Sequence, residues 1–200
     1  MLALVLSMLF CVAIGSGVVG YVMLEARREG RGEFWTPEGE ELIAGARRTL
    51  YITNAYFAPD RNFVDLLAAA ARRGVDVRIL TAGPRTDVHV VRFAGRASYE
   101  QLLEAGVRLY EWQPTTLHAK TFVVDGEWFT VGSMNFDNRS MALNDEATLM
   151  VLDRTLGGGM ERTFRDDLCH AQEITLEAMR ARPWWQRLAE RGANRLTRLL

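Results

Sequence analysis

The chain reads as an α/β domain, a mixed β-sheet flanked by helices on both faces. Three observations predict it. From residue 37 to residue 111, helical and strand patterns alternate, which favours parallel strands with helices packed between them. After residue 118, two short apolar runs meet at Asp125-Gly126, a hairpin signal that brings antiparallel strands into the same sheet. At 48% hydrophobic and 24% charged, the 200 residues can bury a core of that kind.

The elements follow in order. Met1 to Leu24 carry no charged side chain. A helix crosses a bilayer with about 20 apolar residues, so residues 1–24 are expected to form a transmembrane helix. Gly15, Ser16, Gly17 and Gly20 give it a small-residue face. Arg27, Arg28 and Arg31 follow at once, and the positive-inside rule then predicts a single-pass anchor in the cell membrane with the remainder cytoplasmic. A cleaved signal peptide is the rival reading, but it would want basic residues ahead of the apolar run. Residues 25–36 are polar and glycine-containing, a linker.

The domain proper spans 37–180. Pro37 to Arg48 reads as a helix, with Glu38, Glu40 and Glu41 at its positive dipole end. Thr49 to Thr53 is a strand by β-branched and aromatic content. Asn54 to Asp60 is a loop, and Phe63 to Arg73 an alanine-rich helix closed by Gly74. Val75 to Leu80 alternates as a strand. Thr81 to Thr86 is a loop, Val88 to Ala105 a helix ended by Gly106, and Val107 to Glu111 a strand. Lys120–Val124 and Trp128–Val131 form the hairpin, and Glu146–Leu152 is a further strand. A helix is expected from about Thr155 to Arg180. Pro183 breaks the chain again ahead of Trp184, and residues 181–200 hold five arginines and the single acid Glu190. That last segment reads either as a basic amphipathic helix on an anionic membrane surface or as a packed terminal helix with a solvated arginine face.

Composition excludes several classes. A net charge of -1 gives no global case for nucleic acid. Cys11 and Cys169, far apart and in unlike contexts, make no disulfide framework or metal cluster, and each is read as a small buried or lipid-facing hydrophobe. His89 and His170 lack metal-ligand spacing, so no metal or other cofactor is expected.

The chemistry concentrates at one place. Lys120 is the single lysine among 24 basic residues. A chain that otherwise uses arginine needs a compact ammonium here rather than a planar fork. The stretch reads His118-x-Lys120-x4-Asp125-x6-Gly132-Ser133-x-Asn135. In a strand, His118, Lys120 and Phe122 fall on one face, so the imidazole and the ammonium can share a pocket. Gly132-Ser133-x-Asn135 ends the next strand, where polar side chains converge. Asp125, beside the hairpin turn, is read as structural, capping the Gly126-Glu127 amides or pairing with a cation. Asn54 and Tyr56 lie at the carboxyl end of a strand, where α/β sheets place ligands.

This pattern resembles the signature of the phospholipase D superfamily at every fixed position. Ile52 to Asp60, Arg72 to Val77, and Phe136 to Ser140 through Leu143 to Glu146 look like the C-terminal half of bacterial cardiolipin synthases, over roughly residues 37 to 200. The resemblance implies a metal-free phosphoryl transfer through a phosphohistidine on His118. Lys120, Asn135 and Ser133 would bind phosphate oxygens. Glu146 would accept a hydrogen bond from His118 and fix its tautomer. Asp125 belongs to the motif, and Asn54, Tyr56 and Gly132 would line the substrate groove. Arg139 and Ser140 stand next to it. The substrate implied is a membrane phospholipid such as phosphatidylglycerol, with a single-motif phosphodiesterase or endonuclease as the alternative. The family's active site needs two such motifs and this chain has one. A homodimer, or a second motif-bearing half, is therefore expected.

Overall fold

The computed structural model describes residues 8–14, 18–25, 42–135 and 146–197. Nine strands are found among them: β1 Met8–Ile14, β2 Val18–Glu25, β3 Thr49–Asn54, β4 Asp76–Ala82, β5 Arg108–Trp112, β6 Lys120–Val124, β7 Trp128–Gly132, β8 Glu146–Leu152 and β9 Ala171–Ile174. The helices are α1 Arg61–Arg72, α2 His89–Glu104, α3 Arg154–Leu168, α4 Leu176–Arg180 and α5 Trp184–Thr197. Residues 42–45 are also helical. The strands form one sheet in the order β1-β2-β8-β7-β6-β3-β4-β5-β9. β3, β4 and β5 are parallel, and β6 is antiparallel to β3. β6, β7 and β8 run as an antiparallel meander, and β9 lies antiparallel on β5. The sheet is mixed, as expected.

Alternation along the strands builds two cores. Leu50, Ile52, Val77, Ile79, Leu109, Phe122 and Val124 share one face and pack with Phe63 and Leu67 of α1, Tyr99 and Leu102 of α2 and Met179 of α4. Tyr51, Leu80, Tyr110, Val123 and Phe129 point the other way, toward Phe164 of α3. Tyr51 and Phe164 stack at 4.7 Å between ring centroids. Helices therefore cover both faces, because a parallel sheet must bury both.

Local signals explain the helix ends. Asp60 caps α1, its carboxylate accepting from the Phe63 amide at 2.8 Å, and Asp153 caps α3 through the Leu156 amide at 2.7 Å. Gly74 and Gly106 end α1 and α2 with positive φ. The hairpin between β6 and β7 turns at Asp125 and Gly126, with φ of 54° and 66°. Both central residues are left-handed, as the two-residue turn requires.

The described residues depart from three expectations. The apolar run at 1–24 was expected as a transmembrane helix, but residues 8–14 and 18–25 are the paired strands β1 and β2, and β2 joins β8. Among the described residues no helix is long and apolar enough to cross a membrane. Val12, Ile14, Val18, Val19, Tyr21 and Val22 favour a strand, and apolar content alone does not separate the two forms. The single helix expected from Thr155 to Arg180 is instead α3, β9 and the short α4. Gln172 and Glu173 are good helix formers, but pairing with the open edge of β5 overrides that preference. Cys169, expected to be buried, is exposed at the end of α3. Residues 26–41, with most of the expected linker and the first part of the Pro37–Arg48 helix, lie outside the described residues.

Candidate active site

The carboxyl ends of the parallel strands carry a row of buried polar residues. Lys120 pairs across the sheet with Asn54, Asn54 with Thr81, and Thr81 with Glu111. Directly opposed residues share a face, and all four are buried. They continue the face that Phe122, Ile52, Ile79 and Leu109 fill with hydrocarbon. The sheet thus changes from apolar to polar at one edge, and Arg92 and Arg96 of α2 close over it. Both arginines grip Glu111, at 2.6 and 2.7 Å, so its buried carboxylate is fully paired.

His118 stands just ahead of β6 and is exposed. Lys120 opens β6 with 8% of its surface exposed. Its ammonium donates to the His118 carbonyl at 2.8 Å and lies 6.0 Å from the Tyr56 ring centre. The Tyr56 ring meets the His118 ring edge-on at 6.2 Å. The histidine, the lysine and the tyrosine therefore form one cluster.

Tyr56 is held from two sides. Its amide donates to the Asn54 side-chain oxygen at 3.2 Å, a local turn typical of asparagine. Its hydroxyl donates to Asp87 at 2.6 Å. That bond, with a smaller contribution from nearby His118, holds the Asp87 carboxyl below the ordinary aspartate range. Asn54 also donates to the Met134 carbonyl at 3.3 Å, tying the loop after β3 to the segment after β7. Lys120, Asn54, Gly132 and Met134 line a common cavity with Thr121, Thr130 and Thr148.

The remaining expected residues divide. Asn135 is buried beside this cavity's Met134. Ser133 is tied to β8, its hydroxyl accepting from the Ala147 amide at 3.1 Å. Gly132 is there because nothing larger fits: a Cβ would lie 2.6 Å from the Ala147 carbonyl oxygen. Glu146 opens β8, one step beyond the Ser133–Ala147 pairing and so near Met134 in the backbone. Its side chain, and Arg139 and Ser140, lie outside the described residues.

Asp125 is not in the cluster. It follows the last residue of β6, about 16 Å along the strand from Lys120 at ~3.3 Å per residue. Its carboxylate accepts from the amides of Arg47, Arg48 and Thr49, at 3.1, 2.7 and 2.9 Å. It caps the start of β3 rather than Gly126 and Glu127. Although its partial burial works the other way, these backbone donors hold its carboxyl below the usual value.

Sequence reasoning missed Asp87, Thr81 and Glu111. Thr81 and Glu111 sit at the carboxyl ends of strands that were recognised, so the same rule that singled out Asn54 would have found them. Asp87 carries no such signal. Among the described residues, no three His, Cys, Asp or Glu side chains come together as metal ligands.

A family model described as cardiolipin synthase, phospholipase D-like domain, matches residues 40–168. A cardiolipin synthase of Geobacillus kaustophilus is 38% identical over 159 residues, covering 80% of this chain and 32% of that protein. Cardiolipin synthase A of Pseudomonas entomophila is 39% identical over 160 residues, covering 80% of this chain and 33% of that protein. The chain thus spans about a third of the length of the relatives it matches. Among solved structures, phosphatidylserine synthase of Haemophilus influenzae superposes with a TM-score of 0.64 at 16% identity, covering 94% of this chain and 48% of that one. Nuc of Salmonella typhimurium, a phospholipase D family member, gives a TM-score of 0.58 at 21% identity, covering 70% of this chain and 94% of that one. At these identities the superpositions speak for the fold.

Proposed function

Because this chain belongs to the family of cardiolipin synthase, phospholipase D-like domains, we propose that it carries a phosphatidyltransferase site built around His118. The observation that carries the reading is the cluster of His118, Lys120 and Tyr56 at the polar edge of the sheet. An imidazole nitrogen of His118 attacks the phosphorus of a membrane phospholipid, and the bond to the leaving alcohol breaks as a covalent phosphohistidine forms. The leaving alkoxide takes a proton from an acid. An acceptor alcohol then attacks the phosphohistidine, loses its proton, and frees His118. Lys120 faces the phosphate as a point charge, where developing negative charge is stabilised most in a site shielded from water. Asn135 and Ser133 supply polar groups next to it, and Glu146 orients the imidazole. Gly132 shapes the wall.

The proton donor is assigned to a second His-x-Lys motif, from another copy of this chain or from a partner half. The substrate class is an anionic phosphodiester lipid such as phosphatidylglycerol, and the domain works at a membrane surface.

His118→Ala tests the role of the nucleophile. Turnover of phosphatidylglycerol to cardiolipin or phosphatidate should fall by at least ~10³-fold with the fold retained by circular dichroism. Residual activity within tenfold of wild type removes His118 from the chemistry. Wild-type activity should survive EDTA, since no step is assigned to a metal. Cleavage of DNA in preference to lipid would move the reading to an endonuclease.

A further inference from the structure

Helix α5 packs against the domain along one face. Its Glu190 is 1% exposed, sits 3.3 Å from Arg96 of α2 and also pairs with Arg182. Asn194 donates to the Ala94 carbonyl at 3.1 Å. These contacts fix which face looks outward. Residues three and four apart share a helix face, and the exposed positions are Trp184, Trp185, Leu188, Ala189, Arg191, Gly192 and Arg195. Trp184 is 73% exposed, Trp185 59% and Leu188 57%. Glu190 is the single acid within Trp184–Thr197, and it points inward.

We propose that this outward face of α5 is a docking surface for an anionic lipid bilayer, with Trp184, Trp185 and Leu188 entering the headgroup boundary and Arg191 and Arg195 meeting lipid phosphates. Only the choice of an anionic lipid rests on the function proposed above. An indole has an apolar body and a polar N–H, which suits a surface that is greasy below and wet above. Basic residues beside it add attraction to anionic headgroups. A second copy of the chain suits the face poorly. An isologous contact would bury Arg191 and Arg195 between two copies of the same patch, and that patch offers no acid to meet them. The packed-helix reading describes the inward face of α5, and the proposal gives the membrane reading to the outward one.

Fluorescence quenching tests the assignment with the full chain. Vesicles of phosphatidylglycerol and phosphatidylcholine with brominated acyl chains quench tryptophans that reach the boundary. The wild type should be quenched, and Trp184→Ser with Trp185→Ser should lose most of that quenching. Both side chains are exposed, so the double variant keeps its fold and its near-ultraviolet circular dichroism. Arg191→Glu with Arg195→Glu should lower quenching several-fold on phosphatidylglycerol vesicles and little on pure phosphatidylcholine. His118→Ala should be quenched like the wild type, so failure of the proposed chemistry leaves this result intact. Equal quenching of wild type and the double serine variant overturns the assignment. So does a serine variant that turns a sedimenting dimer into a monomer, which gives the face to a second copy.

Discussion

Lys120 shows why residue type matters more than charge at this site. It is buried, its ammonium is spent partly on the His118 carbonyl, and it lies over the Tyr56 ring. A planar guanidinium could not fill that narrow place in the same way. Tyr56 is the common neighbour of both motif residues, and Asp87 fixes where its ring stands. The pair is therefore assigned a positioning role. Tyr56→Phe keeps the ring and removes the bond, and kcat/KM should fall about tenfold, the scale of one charge-assisted hydrogen bond. Asp87→Ala should cost a similar factor. The double variant should cost little more than either single one, because both remove the same bond. Additive losses would mean that the two residues act separately. The motif itself was legible from spacing, since His118 lies two residues ahead of Lys120, the first residue of β6. The Tyr56–Asp87 contact was not, because it joins residues 31 apart and is made by the meeting of two loops.

At the scale of elements, the β6–β7 hairpin both carries the site and anchors it. Lys120 begins β6, and Asp125 follows its far end, where the carboxylate gathers three amides at the start of β3. Asp125→Asn should cost about 1–3 kcal/mol in denaturant unfolding, since a charged acceptor of several amides is replaced by a neutral one. Turnover per folded molecule should stay within a few-fold of wild type, and a much larger loss would return Asp125 to the chemistry. The pH dependence has a definite sign. The folded carboxyl lies below its unfolded value, near 3.9, so the stabilisation is present above that pH and is lost as pH falls through the lower folded value. The variant should lack this acid-side loss. The turn was readable because Asp-Gly specifies it. The capping partners were not, because Arg47–Thr49 reach the turn only once β3 lies beside β6. The same distinction separates α1 and α2, closed by glycines visible in the sequence, from β9, whose residues prefer helix and become a strand because β5 leaves an edge open. Residues 8–14 and 18–25 failed for a related reason, since a uniformly apolar run carries no period to read.

At the scale of the molecule, the proposed chemistry makes a demand on assembly. Phosphoryl transfer from a diester needs a nucleophile on one side of the phosphorus and an acid on the other, beside the leaving oxygen. His118 serves one role at a time. Asp87 stands close to it, but its carboxylate accepts from the Tyr56 hydroxyl, which holds it below the ordinary aspartate range, so no proton donation is assigned to it. His89 and His170 are exposed, and His170 lies edge-on to Trp112 rather than in the His118 cluster. The proposed function assigns the acid to a second motif, and a two-fold contact would place one copy of His118 on each side of the phosphorus. Under that proposal, with a second copy as the partner, the site exists only while the copies are together. Specific activity should therefore fall on dilution, in step with the dimer fraction from sedimentation velocity, over roughly a hundredfold range around the dimer Kd. Mixing wild type with excess His118→Ala should suppress activity by drawing wild-type chains into one-histidine pairs. A monomer whose specific activity is constant on dilution, and is indifferent to the variant, would show that one chain supplies its own acid.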